Sequence, residues 1–208
     1  MKIHNDIEQN SDQWLALRAG KPTASAFSNL ITSTGTASKS LPNYAITLAG
    51  ELYAGKPLDA FEGNSWTERG HDLEDNARAK YEMLNDIDAI QIGFVTDDKE
   101  THGCSPDSLV GDNGLLEIKC LKAENHIKAI MYHQKHGKMP TTYVQQTQGQ
   151  MMVCERDWCD LVFYHPDLPM LTIRSEPDTK IIHGLKQGIA DVIAERDEVL
   201  EKLAEIAA

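Results

Sequence analysis

Two short stretches, Ser105–Asp107 (SPD) and Leu115–Cys120 (LLEIKC), decide how this chain of 208 residues is interpreted. The second stretch has the composition of a strand, so Glu117 and Lys119 leave one face of it and the intervening apolar residues leave the other. A carboxylate and an ammonium group side by side on a nearly buried strand cost free energy unless they bind something. The pattern therefore indicates either a ligand site or, in a surface hairpin, a weak ion pair.

Asp107 supplies a second carboxylate close to that strand, on a turn or at the start of a neighbouring strand. Carboxylates from adjacent strands form a hard oxygen site that suits Mg²⁺ or Mn²⁺. A neighbouring lysine, here Lys119, can orient or deprotonate an attacking water or neutralise charge that develops on a phosphate. Such a site hydrolyses phosphodiesters. Because short motifs carry many false positives, the residues alone leave the ligand site and the surface ion pair equally open.

The composition is that of an ordinary globular protein, with 41% hydrophobic and 25% charged residues. The length predicts a single domain over residues 1–208. A formal net charge of −12 argues against a generic basic nucleic-acid coat protein and against adsorption to anionic membranes. No apolar stretch approaches the length of a membrane span, and the first residues lack the apolar segment of a secretory signal.

The cysteines stand at 104, 120, 154 and 159 and form no C-x-x-C pair. Together with the lack of a signal segment, this usage indicates reduced thiols and a cytoplasmic location. A four-thiolate zinc or iron–sulfur site is the alternative, although the spacing does not match the usual clustered patterns.

Hydrophobic periodicity predicts a mixed α/β fold that ends in a long amphipathic helix. Helices are expected first, strands follow from about residue 89, and helical spacing returns twice between the later strands. Caps and apolar spacing place helix starts near Ser11, Thr23, Pro42, Ser65, Ala123, Thr142 and Asp178. Strands are expected over 89–96, 114–120, 158–164 and 170–174.

Four motifs follow one another over most of the chain. They are 14–18 (WLALR) leading to 23–25 (TAS), 70–78 from Gly70 through Glu74 to Arg78, 105–107 with 117–120, and 143–148. In this order they resemble the phage lambda-type exonucleases, the YqaJ-like viral recombinases of the PD-(D/E)xK nuclease superfamily. The resemblance implies a restriction-endonuclease-like core, in which helices flank a central mixed β-sheet.

The resemblance also implies a metal site. Asp107, Glu117 and the backbone carbonyl of Ile118 would bind Mg²⁺, or Mn²⁺ in its place, with two ions in each active site. Lys119 would be the catalytic lysine, and Glu74 a further ligand, bound directly or through water. Without the resemblance, Glu74 would be interpreted as a solvated charge on a helix.

A pocket for the 5′-terminal phosphate of the digested strand is the second implied site. The matching residues are Arg18, Ser25, Ser105 and Gln146, which offer a forked guanidinium, two hydroxyls and an amide. Ser25 falls in the first turn of the helix predicted after Thr23, where free N–H groups favour an anion. The alternatives are an ordinary surface arginine at Arg18 and a simple helix cap at Ser25.

The function implied by the resemblance is metal-dependent 5′-to-3′ exonuclease activity. One strand of linear double-stranded DNA would be degraded from 5′-phosphorylated ends to mononucleotides, and the remaining 3′ single strand would serve recombination by strand annealing. A homotrimeric ring, a single-strand annealing protein as partner and action in the cytoplasm of a phage-infected bacterial cell are implied too. A PD-(D/E)xK endonuclease and a non-catalytic DNA-end-binding scaffold are the alternatives.

Local charge predicts a path for DNA. Residues 119–138 contain five lysines and one acid, Glu124, within a chain of net charge −12. Lysines 122, 128, 135 and 138 are expected to contact phosphates, and the alternative is a helix face whose charge is balanced by neighbours. Histidines 126, 133 and 136 are expected at the surface, and Gln148 is expected to be structural or to face DNA.

Overall fold

The computed structural model describes residues 1–58 and 65–207, and for residues 65–72 the backbone alone. The strands are β1 Lys2–His4, β2 Ala89–Ile90, β3 Phe94–Thr96, β4 Gly103–Cys104, β5 Ser108–Val110, β6 Gly114–Cys120, β7 Trp158–Tyr164 and β8 Leu171–Ser175. The helices are α1 Asp12–Arg18, α2 Leu41–Ala54, α3 Ser65–Asn85, α4 Ala123–His136, α5 Val144–Cys154 and α6 Thr179–Ala207. Short 3-10 helices lie at Ala24–Asn29 and Thr141–Tyr143. The predicted mixed α/β class is confirmed.

The larger sheet contains five strands in the order β2-β5-β6-β7-β8. Strands β6 and β7 run parallel, from Gly114 opposite Trp158 to Cys120 opposite Tyr164. The other neighbours in this sheet are antiparallel, so the predicted central mixed sheet is confirmed. A smaller antiparallel sheet has the order β1-β3-β4. The strand that carries Glu117 and Lys119 is therefore the central strand of the larger sheet.

Helices cover both faces of β6, as its alternating side chains require. Leu116 and Ile118 pack with Ala77 and Tyr81 of α3, and each apolar side chain buried in this way contributes about 1.5–3 kcal/mol. Leu115 belongs to the main core on the opposite face, together with Met151 of α5 and residues of α2 and α6. Because Glu117 shares the face of Leu115, it lies beneath α5.

The stretch 89–96 is not one strand, contrary to the prediction. It divides into β2 and β3, which belong to different sheets. The break lies at Gly93, where an added Cβ would come within 1.8 Å of the carbonyl oxygen of Ile7. Apolar residues on both sides resemble a continuous strand in sequence, whereas the backbone contact at Gly93 redirects the chain.

The segment after Thr23 also differs from the prediction, because it is a short 3-10 helix and not an α-helix. Thr23 makes no side-chain capping bond there. Its hydroxyl instead accepts a hydrogen bond from Arg18 at 3.3 Å. A six-residue 3-10 helix sums few peptide dipoles, so the dipole argument for an anion beside Ser25 is wrong.

The ends of the two long helices show where capping and burial act. Asp178 caps α6 as predicted, since its Oδ1 accepts hydrogen bonds from the N–H groups of Lys180 and Ile181 at 2.9 and 3.1 Å. Leu84 continues the apolar spacing of Ala77 and Tyr81 on α3 but is 62% exposed. The buried stripe ends one turn earlier, at Tyr81. Among the helices of the described residues, none is long and apolar enough to cross a bilayer.

Candidate active site

Glu117 is the centre of the candidate site. Its side chain is buried, with 3% of the residue exposed. Oε1 lies 2.5 Å from Lys119 Nζ and accepts a hydrogen bond of 2.5 Å from Gln146 Nε2. Oε2 accepts a hydrogen bond of 2.6 Å from Gln150 Nε2. The strand and α5 together therefore surround one buried carboxylate with three donors, the geometry of a site rather than of an exposed hairpin ion pair.

Asp107 lies beside this strand, immediately before β5. Its Oδ2 accepts a hydrogen bond of 2.5 Å from the N–H of Ile118. The pairing of β5 with β6 ends at Ser108 and Leu116, so on this side Ile118 meets the Asp107 side chain instead of a strand. In an antiparallel ladder, the N–H and C=O groups of one residue point to the same neighbour. The carbonyl of Ile118 therefore also faces the side of Asp107.

The electrostatics of the site favour a cation. Burial raises the pKa of Asp107 well above its usual range, and the negative charge of Glu117 raises it further. Burial opposes the charged form of Lys119, yet the charges of Glu117 and Asp107 outweigh it and raise its pKa. The charged form of Asp107 is thus disfavoured, and a cation bound beside it would favour that form.

The donor set fits a hard divalent ion. Carboxylate and carbonyl oxygens are the ligands of Mg²⁺, which keeps several waters and is commonly held by one or two carboxylates. Among the side chains of residues 1–58 and 73–207, no three of His, Cys, Asp or Glu are grouped closely enough to hold a metal ion by themselves.

Glu74 reaches the same place from α3. Its helix is fixed one turn later by Arg78, whose Nε donates to Ser108 Oγ at 2.9 Å. Ser108 in turn donates to the carbonyl of Asp107 at 2.6 Å. Arg78 therefore fastens the helix that carries Glu74 to the residue that follows Asp107, and both carboxylates line one cavity.

This cavity has a volume of about 150 Å³ and unites residues that are far apart in the sequence. Its lining includes Glu74 and Asp107 together with Arg18, Ser25, Ser105 and Gln146. All four residues predicted for the phosphate pocket thus adjoin the predicted metal site. Glu117 is not part of the lining, but it accepts a hydrogen bond from Gln146, which is.

Arg18 is not an ordinary surface arginine. Its guanidinium lies 3.9 Å from the centroid of the Trp14 ring, and burial lowers its pKa. The indole Nε1 of Trp14 donates to Ser105 Oγ at 2.9 Å. Trp14 therefore contacts both Arg18 and Ser105, two residues of the predicted pocket. A guanidinium that is desolvated against a ring and a hydroxyl favours an anionic ligand.

The family of the chain follows from a comparison of domain models. The model of the YqaJ-like viral recombinase domain matches residues 13–157. The chain belongs to this family. The match covers all four motifs, and it confirms the predicted resemblance. No curated protein sequence matches the chain.

Solved structures extend the likeness of this YqaJ-like chain to almost its full length. It is similar to an alkaline exonuclease from Laribacter hongkongensis, with 33% identity over 95% of this chain and 98% of the other and a TM-score of 0.82. The same figures hold for that enzyme in complex with dAMP. A phage-related exonuclease from Haemophilus somnus is 17% identical over 88% of this chain and 96% of the other, with a TM-score of 0.69. That second likeness shows the fold alone.

Gln150 and Arg78 are site residues of this YqaJ-like domain that sequence reasoning did not assign. Gln150 follows Gln146 by four residues on α5, the spacing that places two side chains on one helix face. That spacing was the available signal. Gln148 is structural, because it accepts from the N–H of Asp178 at 2.7 Å and donates to the carbonyl of Glu176 at 2.9 Å.

The residues of α4 divide between surface and core. Lysines 122, 128, 135 and 138 are exposed, although Lys128 pairs with Glu124 at 2.5 Å. The prediction that His126 lies at the surface is wrong, since it is 0% exposed and its Nε2 lies 2.8 Å from the carbonyl of Pro169. His126 shares the buried side of α4 with Ala129.

Proposed function

We propose that this YqaJ-like chain is a metal-dependent 5′-to-3′ exonuclease. It degrades one strand of linear double-stranded DNA from 5′-phosphorylated ends to mononucleotides and leaves a 3′ single strand for recombination by annealing. The observation that carries the proposal is the shared cavity, whose lining includes Glu74, Asp107, Arg18, Ser25, Ser105 and Gln146. Family membership and similarity to an alkaline exonuclease, also solved with dAMP, support it.

The residues of the predicted phosphate pocket would bind the 5′-terminal phosphate of the strand. Arg18 offers two parallel donors to phosphate oxygens, and Ser25, Ser105 and Gln146 add neutral hydrogen bonds. Fixing this end beside the carboxylates places a bond near the end of the strand at the reacting position, so each cleavage releases a short product.

The carboxylates of the candidate site would bind Mg²⁺, or Mn²⁺ in its place, with two ions in each site. Asp107, Glu117 and the carbonyl of Ile118 are the proposed ligands, with Glu74 bound directly or through water. When bound, such ions activate water and neutralise charge on the phosphate. Lys119, paired with Glu117, would orient the attacking water or donate to a phosphate oxygen.

Assembly and partners complete the proposal. Residues 1–208 form one exonuclease domain, and three copies form a ring around the DNA duplex. Exposed lysines 122, 128, 135 and 138 contact the phosphate backbone, which makes binding weaker as salt increases. A single-strand annealing protein receives the product strand, and the enzyme acts in the cytoplasm of a bacterial cell that carries the phage genome. The family resemblance supports the ring, the annealing partner and the location, whereas chain length supports the single domain and local charge supports the lysine contacts.

Digestion of a linear duplex labelled at one 5′ end tests the proposal. We expect labelled mononucleotides in the presence of Mg²⁺, faster release from a 5′-phosphate than from a 5′-hydroxyl, and no reaction with EDTA. A covalently closed circle of the same sequence should remain intact. Cleavage of the circle would favour the endonuclease, and binding to DNA ends without cleavage would favour the non-catalytic scaffold.

A further inference from the structure

Gln150 combines a contact to the candidate metal ligand with an unused hydrogen-bonding group. Among the side chains that the structure describes, three atoms are buried without a partner, namely His126 Nδ1, Gln145 Oε1 and Gln150 Oε1. Gln150 is the one of these three residues that lines the cavity of the candidate active site. It is 1% exposed. A buried amide oxygen without a donor costs free energy, so the position calls for an explanation.

The orientation of this amide follows from its partner. Nε2 donates to Glu117 Oε2 at 2.6 Å. Rotating the amide by half a turn would place Oε1 against a carboxylate oxygen, where two acceptors would repel each other. The amide nitrogen therefore faces Glu117, and Oε1 is left without a donor among the described residues as the consequence.

Counting lone pairs shows which oxygen of Glu117 can bind a cation. Each carboxylate oxygen offers about two acceptor positions. Oε1 uses both, for Lys119 and Gln146. Oε2 accepts from Gln150, so among the described side chains it keeps one position. The oxygen that Gln150 holds is thus the oxygen available to a metal.

We infer that Gln150 is a positioning residue for the metal site, acting through Oε2 of Glu117. Its Nε2 fixes the direction of the remaining lone pair, and its burial with an unpartnered oxygen is tolerated because of this contact. The inference rests on the proposed function in taking Glu117 as a metal ligand. Partners that orient a metal ligand typically change metal affinity 10–100-fold when they are removed.

The test is calorimetric titration of the full-length, EDTA-treated protein with Mn²⁺, using wild type, Gln150→Leu and Gln145→Leu. Gln145 is a matched control, because it lies on the same helix, is 6% exposed and also has an unpartnered Oε1. Its Nε2, however, donates to the carbonyl of Ile31 at 3.1 Å, outside the cavity. We expect Gln150→Leu to weaken Mn²⁺ binding about 10–100-fold and Gln145→Leu to leave it unchanged.

Thermal melting separates positioning from folding. Each variant removes one buried amide whose Nε2 donates one hydrogen bond and whose Oε1 has no partner, so the melting temperature of Gln150→Leu should not fall more than that of Gln145→Leu. If Gln150→Leu does not fold, it is replaced in the titration by Gln150→Met, which keeps the length of the side chain. Equal Mn²⁺ affinity in wild type and the Gln150 variant, equal weakening in both variants, or no Mn²⁺ binding by wild type would each overturn the inference.

The proposed function fails separately. A wild-type protein that releases no nucleotides from linear DNA, yet binds Mn²⁺ and loses affinity only in the Gln150 variant, would refute the nuclease and retain the role of Gln150. A wild-type protein that digests DNA normally while Gln150→Leu binds Mn²⁺ as tightly would do the reverse.

Discussion

The ammonium group of Lys119 lies 2.5 Å from Oε1 of Glu117, two residues earlier on the same face of β6. One strand thus places a cation in contact with the carboxylate that is the proposed metal ligand. Lys119→Ala should lower the cleavage rate at least about 10²-fold, because it removes the group that orients water or neutralises the phosphate. DNA binding should persist. Release of nucleotides measures the cleavage rate, and filter retention of labelled duplex measures DNA binding.

The control for this prediction is Lys2→Ala. Lys2 is a surface lysine paired with Glu100 at 2.6 Å, remote from the cavity. A similar loss in both variants would show that Lys119 acts through general charge and not at the site.

Arg18→Ala should impair mainly the use of 5′-phosphorylated ends. The guanidinium lines the cavity and would hold the terminal phosphate, a charge-assisted contact worth about 1.5–3 kcal/mol. The ratio of rates on phosphorylated and hydroxyl ends should therefore fall roughly 10- to 100-fold. Equal loss on both kinds of end would remove Arg18 from the phosphate pocket.

A hydrogen-bond network centred on the buried carboxylate of Asp160 should contribute to stability. Tyr81 donates to Asp160 Oδ2 at 2.7 Å, and Arg174 donates to both oxygens of Asp160 at 2.8 Å. Tyr81→Phe should lower the free energy of unfolding by about 1–2 kcal/mol, since one of three bonds is lost. Asp160→Ala should cost about 1–3 kcal/mol beyond this, because the buried hydroxyl of Tyr81 loses its acceptor, whereas the Arg174 side chain, which is 54% exposed, stays in contact with water. Urea denaturation followed by circular dichroism measures both, and equal small effects would contradict the network.

His102 should make the fold sensitive to mild acid. Burial lowers its pKa, although Asp97, whose Oδ1 lies 3.6 Å from Nδ1, raises it in part. Because the folded-state pKa lies below the unfolded value of about 6.5, the unfolded chain binds more protons as the pH falls. Stability from the neutral ring is therefore complete above about pH 6.5 and is lost below it.

His102→Gln should flatten this dependence between pH 7 and pH 5 in urea denaturation. An unchanged slope in the variant would show that other groups cause it. Asp97 acts in a lower pH range: burial raises its pKa, but hydrogen bonds from the N–H groups of Thr101 and His102 lower it overall. Its contribution is present at neutral pH and lost only as the carboxylate is protonated in stronger acid.

The sequence predicted the parts of the fold that a local pattern controls. Strand β6 has the predicted bounds, because alternation of polar and apolar residues is decided by the two faces of the sheet. The caps of α1 and α6 were found because Ser11 and Asp178 bond to N–H groups three residues away. Gly93 was missed because a contact with Ile7, distant in sequence, divides the strand.

The candidate site was less accessible to local patterns. In sequence, Glu74 and Arg18 resemble ordinary surface charges, and only the family motifs predicted them in the site. In the structure, both line one cavity. Gln150 carries no charge and no motif of its own, and its role depends on where α5 crosses β6. His126 was wrongly predicted at the surface, because a helical pattern does not show that a histidine forms a hydrogen bond with a residue distant in sequence, here the carbonyl of Pro169.

A crystal soaked in manganese tests the central claim most directly, namely that Asp107 and Glu117 hold a divalent ion. The protein should come from a preparation that degrades linear DNA, and the anomalous signal of manganese locates the ion. We predict a peak within ligand distance of Asp107 and Glu117 and next to the carbonyl of Ile118. An active preparation with no manganese beside these residues would contradict the account.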